Sequence, residues 1–273
     1  MSTKNTVTPD VPDAPPREKR PGMLEAILLP TLAAGVLVAL WQGAVVLSHT
    51  DVFPSPLAVL QGLRELAHKG VLAGYVLDSL LRVGAGYALA LIFGIPLGMA
   101  LGWYAWTARA INPVIQLLRP ISPLAWIPVA IVLFGVTNLA AVFLIFLGSF
   151  FPIVVATMNG VRNVPQMYLS AGRNFGLSAP ALFSRVIFPA ALPRVLTGLR
   201  VALGVAWLVV VAAEMIAVDS GLGYLVIDSR NAGKRYDLVV AAMLLIGVIG
   251  LALNTLVRLI ERLRAVRWGF LAS

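Results

Sequence analysis

Apolar residues in this chain come in long unbroken runs, and six of the runs reach the length of about 20 residues that crosses a bilayer as a helix. They cover residues 24–47, 77–101, 111–136, 139–158, 193–218 and 238–260. The pattern predicts an all-α membrane protein with six transmembrane helices. The third run is interrupted by Pro113, Pro120, Pro123 and Pro128, so it predicts one irregular span bent in the half nearest the following long polar loop, with Asn138 marking the turn to the next span. Residues 57–68 mix apolar and polar faces, as either an amphipathic helix lying outside the bilayer or a solvated connector does. Residues 1–22 carry five prolines among charges and no apolar stretch, which predicts a disordered tail with no cleavable leader. A six-helix domain over 23–267 and a short tail over 268–273 complete the organisation, and no internal repeat is visible.

Composition strengthens the membrane reading. Hydrophobic residues make up 59% of the 273, charged residues only 12%, and the mean hydropathy is +0.90; a soluble domain carries about 25% charge. The absence of Cys excludes thiol chemistry, and two histidines, His49 and His68, are too few for a histidine metal site. The net charge of +9 is explained by orientation rather than by nucleic acid. With both termini inside, 15 of the 21 basic residues fall on that side, among them Arg109, Arg119, Arg162, Arg173 and Arg200, and six fall outside. That bias places both termini and the polar loop 159–192 in the cytoplasm.

The loop 159–192 is far longer than an ordinary helix connection, and loops of that length are usually functional. Its local signals describe two short helices. Asn163 and Pro165 open the first, Gly176 ends it, Ser178 and Pro180 open the second, and Pro189 and Pro193 stop it. Small residues Ser170, Ala171 and Gly172 are expected on the surface of this knob. Elsewhere Gly86, Ala90, Gly94, Gly98 and Gly102 recur every four residues, a smooth stripe against which another helix can pack. Trp207, Glu214 and Arg200 are the candidates for a pathway or its gate. Beside each stands a structural reading: core packing for Trp207, a hydrogen bond to a neighbouring segment for Glu214, a headgroup anchor for Arg200.

The spacing Ser170-Ala171-Gly172, three residues, Gly176, nine residues, Val186-Ile187-Phe188-Pro189 resembles the "EAA" loop of permease subunits of binding-protein-dependent ABC importers. Here Ser170 stands for the family's Glu and Gly172 for its second Ala. Segments FPSPLAVL (53–60), RPISPLAWIPVAIVLFG (119–135) and GLGYLV (221–226) are similar to the nitrate, sulfonate, taurine and bicarbonate branch. The resemblance implies a type I importer permease fold in a bacterial inner membrane and a coupling segment over Ser170, Ala171, Gly172, Arg173, Asn174, Phe175, Gly176, Leu177, Ser178 and Pro189. It also implies a second permease copy, two ATPase subunits carrying ATP and Mg, a separate solute-binding protein and surrounding lipid.

The chain carries no phosphate-cradling G-x-x-x-x-G-K-[ST] loop, since its one Gly-Lys pair is Gly233-Lys234, so the expectation is a non-enzymatic subunit with no cofactor or metal of its own. An ion-coupled secondary transporter is the alternative, and the lack of repeated halves counts against it.

Overall fold

The computed structural model describes residues 23–48, 53–231 and 233–261. Both predicted tails lie outside the described residues. Every regular element among the described residues is helical. Five helices are long and apolar enough to cross a membrane, and a pair bent by 85° makes a sixth crossing if counted as one span.

The first helix, α1 (Met23–Ser48), is a unit by itself. Leu28, Leu32, Leu37 and Leu40 are all exposed on it, as lipid-facing positions are. The second unit begins with α2 (Pro56–His68), opened by Ser55, whose Oγ accepts from the Ala58 N–H at 3.2 Å. Its apolar face, Val59, Gly62 and Leu66, is buried, and Gly62 lies against Leu238 and the Asp237 carbonyl at the start of α11 (Tyr236–Glu261). The 57–68 segment is thus an amphipathic helix covered by protein.

Three long helices form the centre: α3 (Val71–Trp103), α6 (Asn138–Arg162) and α9 (Phe188–Glu214). Apolar burial gives little drive for helices to associate within lipid, so contact depends on backbones approaching closely over small residues. The predicted stripe does this between α3 and α6. A β-carbon at Gly86 would lie 2.7 Å from Ile145 Cβ, at Gly94 2.9 Å from Ile153 Cγ2, at Gly98 2.6 Å from Thr157 Cβ and at Gly102 2.6 Å from Val161 Cβ. Ala90 is fully buried in the same row. The other side of α6 meets α9 in the same manner, with Gly148 against Val209, Gly160 against Val195 and Gly198 of α9 against Ala156.

Two expectations are corrected. The 111–136 span is two helices, α4 (Ala105–Leu118) and, after a 3₁₀ turn at Pro123–Trp126, α5 (Ile127–Phe134). The break falls at residues 119–122, and Pro123 packs beside Gly148, near the middle of α6 rather than at the loop end. Prolines announce a break without fixing its depth, which follows from where their rings find room. Second, Pro189 and Pro193 do not stop a helix. Helical structure runs from Ala179 to Glu214, through α8 (Ala179–Leu182) and a π-helical turn at Phe183–Ile187 that ends two residues before Pro189. The wider turn accommodates the missing proline donor, and burial of Ile187, Ala191, Pro193 and Val195 holds the helix together across both rings.

The long helices of the second unit alternate in direction. One end of the bundle carries residues 163–187, the C-termini of α3 and α11 and the start of α4; it is called the loop end below. The opposite, distal end carries α2, α10 (Leu222–Asn231) and the N-terminus of α6.

Candidate functional site

The knob at the loop end is built on one short helix, α7 (Gln166–Asn174). Gly176, at φ +73°, ends it as only a residue without Cβ does cheaply. The Gly176 N–H donates to Arg173 O at 2.9 Å and the Leu177 N–H to Gly172 O at 3.1 Å, the paired bonds of a Schellman ending. Ser178 occupies the N-cap position of α8 in extended conformation, but its side chain makes no capping bond. Asn163 does not open α7. It closes α6, its backbone N–H and side-chain amide both donating to Asn159 O, and Pro165 takes the N-cap position of α7. The knob is fastened to the bundle by a core of Val161, Val164, Leu182, Ile187, Ala191 and Val195, and by Arg194 Nη1 donating to Asn163 O at 3.1 Å.

The small residues of α7 divide in two. Ser170, Ala171, Arg173, Asn174 and Phe175 are exposed, Phe175 to 86%. Gly172 is buried, and a β-carbon there would run into Leu182. The expectation that all three small residues face outward therefore holds for Ser170 and Ala171 and is corrected for Gly172, which lets α7 sit on α8. Leu177 is half-buried, and Pro189 lies in the first turn of α9.

At the distal end Glu214 is fully buried and bound on every side. Arg82 Nη1 donates to its Oε1 at 2.8 Å, and Ser79 Oγ at 2.8 Å and the Gly223 N–H at 3.0 Å donate to Oε2. Arg82 in turn donates from Nε to Asn138 Oδ1 at 2.8 Å, from Nη1 to Ser220 O at 2.8 Å and from Nη2 to Ser220 Oγ. Ser79 Oγ also accepts from the Leu222 N–H at 3.0 Å. One ion pair thereby joins α3, α6, α9 and the first turn of α10, and the carboxylate satisfies a free N–H at that helix start. Gly221, at φ +102°, and Gly223 press so closely on Glu214 that a β-carbon at either would collide with it. The hydrogen-bonded reading of Glu214 is the one this geometry supports. The sequence reading missed Arg82, Ser79, Asn138 and Ser220; the signals were a Ser and an Arg three apart inside an apolar run and the Ser-Gly-Leu-Gly after Glu214.

Trp207 is buried, donates from Nε1 to Ile246 O at 3.1 Å and covers Gly250, so it serves core packing between α9 and α11. Arg200 is half-buried and engaged within the chain. It lies fourteen residues before Glu214, inside a helix that extends well beyond it on both sides, rather than at a helix end. Arg119 stands at the break after α4 and not at the loop end. Outside the bundle Glu65 receives Lys69 and Arg235 at 2.6 Å each, and these two cations hold its carboxyl down at about 2 from 4.5.

The second unit thus carries an exposed knob at the loop end, a buried ion pair at the distal end and small-residue packing between them. Over residues 91–266 the chain matches the family described as binding-protein-dependent transport system inner membrane component, and it belongs to that family. It is 38% identical over 241 residues to a putative ABC transporter permease protein of Methanocaldococcus jannaschii, covering 86% of this chain and 88% of the relative. It is 35% identical over 255 residues to a putative aliphatic sulfonates transport permease protein of Bacillus subtilis, covering 93% and 90%. To a nitrate import permease protein of Leptolyngbya laminosa the identity is 36% over 255 residues, covering 90% and 86%. Among solved structures, an inward-facing form of the MetNI methionine ABC transporter matches with a TM-score of 0.57 at 20% identity, over 70% of this chain and 97% of that one. The fold is that of a type I importer permease. The protein is a multi-pass membrane permease subunit of an ABC importer, with ATP hydrolysis on a separate subunit and an ATPase and a binding protein as its partners.

Proposed function

We propose that this subunit forms the translocation pathway for a small oxyanion or organic sulfonate delivered by a solute-binding protein, and that α7 couples it to the ATPase. The cargo class is supported by the relatives that import nitrate and aliphatic sulfonates. In this reading two identical copies enclose the pathway, each seats its knob on one of two ATPase subunits that carry ATP and Mg, and both termini are cytoplasmic within a lipid bilayer of the inner membrane. Closure of the ATPase pair draws the two knobs together and opens the distal end; hydrolysis resets it.

The observation that carries the coupling role is the split of α7 into a buried anchor at Gly172 and an exposed face at Ala171 and Phe175. A coupling element needs both a rigid seat on its own bundle and a free face for its partner. Gly172 is unsuitable as a probe, because a larger residue there has to displace Leu182 within the knob. Ala171→Glu and Phe175→Ser alter only the exposed face, adding a charge or removing an aromatic anchor where a partner would seat. With the ATPase and binding protein co-expressed, both variants are expected to keep folded permease yield while losing ATPase co-purification and uptake of nitrate or an alkanesulfonate. Normal co-purification and uptake in both would remove the coupling role from α7.

A further inference from the structure

We propose that Arg119 is an anion-coordinating residue midway along the pathway, reached from the loop end by a stripe of hydrogen-bond donors on α4. This rests on the importer reading above and extends it to a particular site.

The first observation is depth. Ile115 packs with Leu101, Val154 and Met158, and Pro123 packs beside Gly148, so Arg119 lies between those two levels. Gly148 is ten residues from one end of α6 and fourteen from the other, about 15 and 21 Å at 1.5 Å per residue. Arg119 is therefore close to the centre of the bundle, too deep to carry its head to either surface as arginines near helix ends do. The second is its state. The side chain is exposed and makes no hydrogen bond or ion pair with any described residue. An unpaired guanidinium facing hydrocarbon at that depth is costly, so it faces water or a counter-charge.

The third observation concerns who could supply that charge. Between Asp78 and Glu214 the sequence contains no Asp or Glu at all. Glu65, Asp78, Glu214, Asp219, Asp228 and Asp237 belong to the distal end, Glu25 and Glu261 stand in the outermost turns of α1 and α11, and Glu214 is already matched by Arg82. A second copy of this chain would bring another arginine to the same depth, not a carboxylate. Among the described residues no carboxylate stands at the depth of Arg119, and an anion in transit would supply the counter-charge.

The fourth is the approach. Arg109, Asn112, Gln116 and Arg119 are spaced three, four and three apart and so lie along one side of α4, beside the buried face that holds Ala108 and Ile115. Arg109 and Gln116 are exposed, and Asn112 is half-buried. Every one of these side chains offers N–H donors, and none carries negative charge. A guanidinium fork at the end of such a stripe suits two oxygens of a planar or tetrahedral oxyanion and repels cations.

The chain has no cysteine, so single cysteines can be read without background. In the permease reconstituted with its ATPase and binding protein, Gln116→Cys is treated with a water-soluble thiol reagent bearing a sulfonate, and separately with its trimethylammonium counterpart. The sulfonate reagent should react at least about fivefold faster, through the field of the neighbouring guanidinium. Adding Arg119→Gln should abolish that preference, and Leu117→Cys, on the opposite side of α4, should stay unlabelled. Absence of labelling at Gln116→Cys while Lys234→Cys in the exposed distal connection labels, or equal rates for the two reagents, overturns the proposal. In parallel, Arg119→Gln should cut uptake of nitrate or ethanesulfonate at least about tenfold while Arg119→Lys retains part of it; undiminished uptake by Arg119→Gln also overturns it. If the unmodified complex takes up neither anion, the cargo assignment fails, and the reagent preference still decides the role of Arg119.

Discussion

Removing either member of the Arg82–Glu214 pair leaves the other charged, buried and surrounded by groups set to receive its partner. Loss of one partner from a buried ion pair costs about 3–5 kcal/mol, whereas replacing both by apolar residues is often close to neutral. Arg82→Met is therefore expected to lower the melting temperature and folded yield sharply in fluorescence-detected size exclusion, and Glu214→Leu to do the same. The double variant should recover part of the loss, but not all, because Ser79, Ser220 and the Gly223 N–H would still lack partners. Additive losses in the double variant would show that the two side chains act independently and that the pair does not hold α10 in place.

At the scale of elements, the α3–α6 contact gives a test with an internal control. Gly98→Leu places a side chain where the β-carbon position is already 2.6 Å from Thr157 Cβ and 2.7 Å from Val154 O, and such overpacking typically costs about 1–3 kcal/mol. Gly84 lies in the same helix with nothing within 4 Å, so Gly84→Ala should be neutral or stabilising by a few tenths up to about 1 kcal/mol. Equal thermal stability of the two variants would mean that the stripe does not bear on α6. This contact was legible in the sequence because small residues at a period of four let another helix backbone approach closely, which favours packing over the alternative of lining a pathway. The six apolar runs were legible for the same reason, length and composition being all that a span requires. The Arg82–Glu214 pair was not, since 132 residues separate its members and nothing local distinguishes Arg82 from an interfacial arginine. Nor was the inward turn of Gly172, because a small residue reads alike whether it admits a foreign partner or its own neighbour Leu182. Pro189 and Pro193 misled because tertiary burial overrides a local helix breaker when a π-helical turn absorbs the misfit.

For the whole molecule, the proposed orientation with both termini cytoplasmic is argued from charge. Arg119 and Arg200 lie within the bundle and Arg82 is matched by Glu214, so among the described residues Arg109, Arg162, Arg173, Arg185, Arg194 and Arg258 stand at the loop end against Arg64, Lys69, Arg230, Lys234 and Arg235 at the distal end. That division is nearly even, so the proposed orientation leans on the seven further bases that the sequence carries in residues 1–22 and 262–267, lysine and arginine near span ends being what set topology. Trypsin added to sealed right-side-out vesicles should therefore spare the knob, with Arg173 and Arg185 protected until the vesicles are lysed. The distal connection between α10 and α11 should be open to it, most readily at Lys234, which has φ +54° just outside either helix. A fragment ending at Lys234 before lysis, with cleavage at Arg173 appearing only after it, is the expected result. Cleavage at Arg173 in intact vesicles, with Lys234 protected, would turn the protein over in the membrane; the knob would then face away from any cytoplasmic ATPase, and the donor stripe on α4 would open to the opposite side.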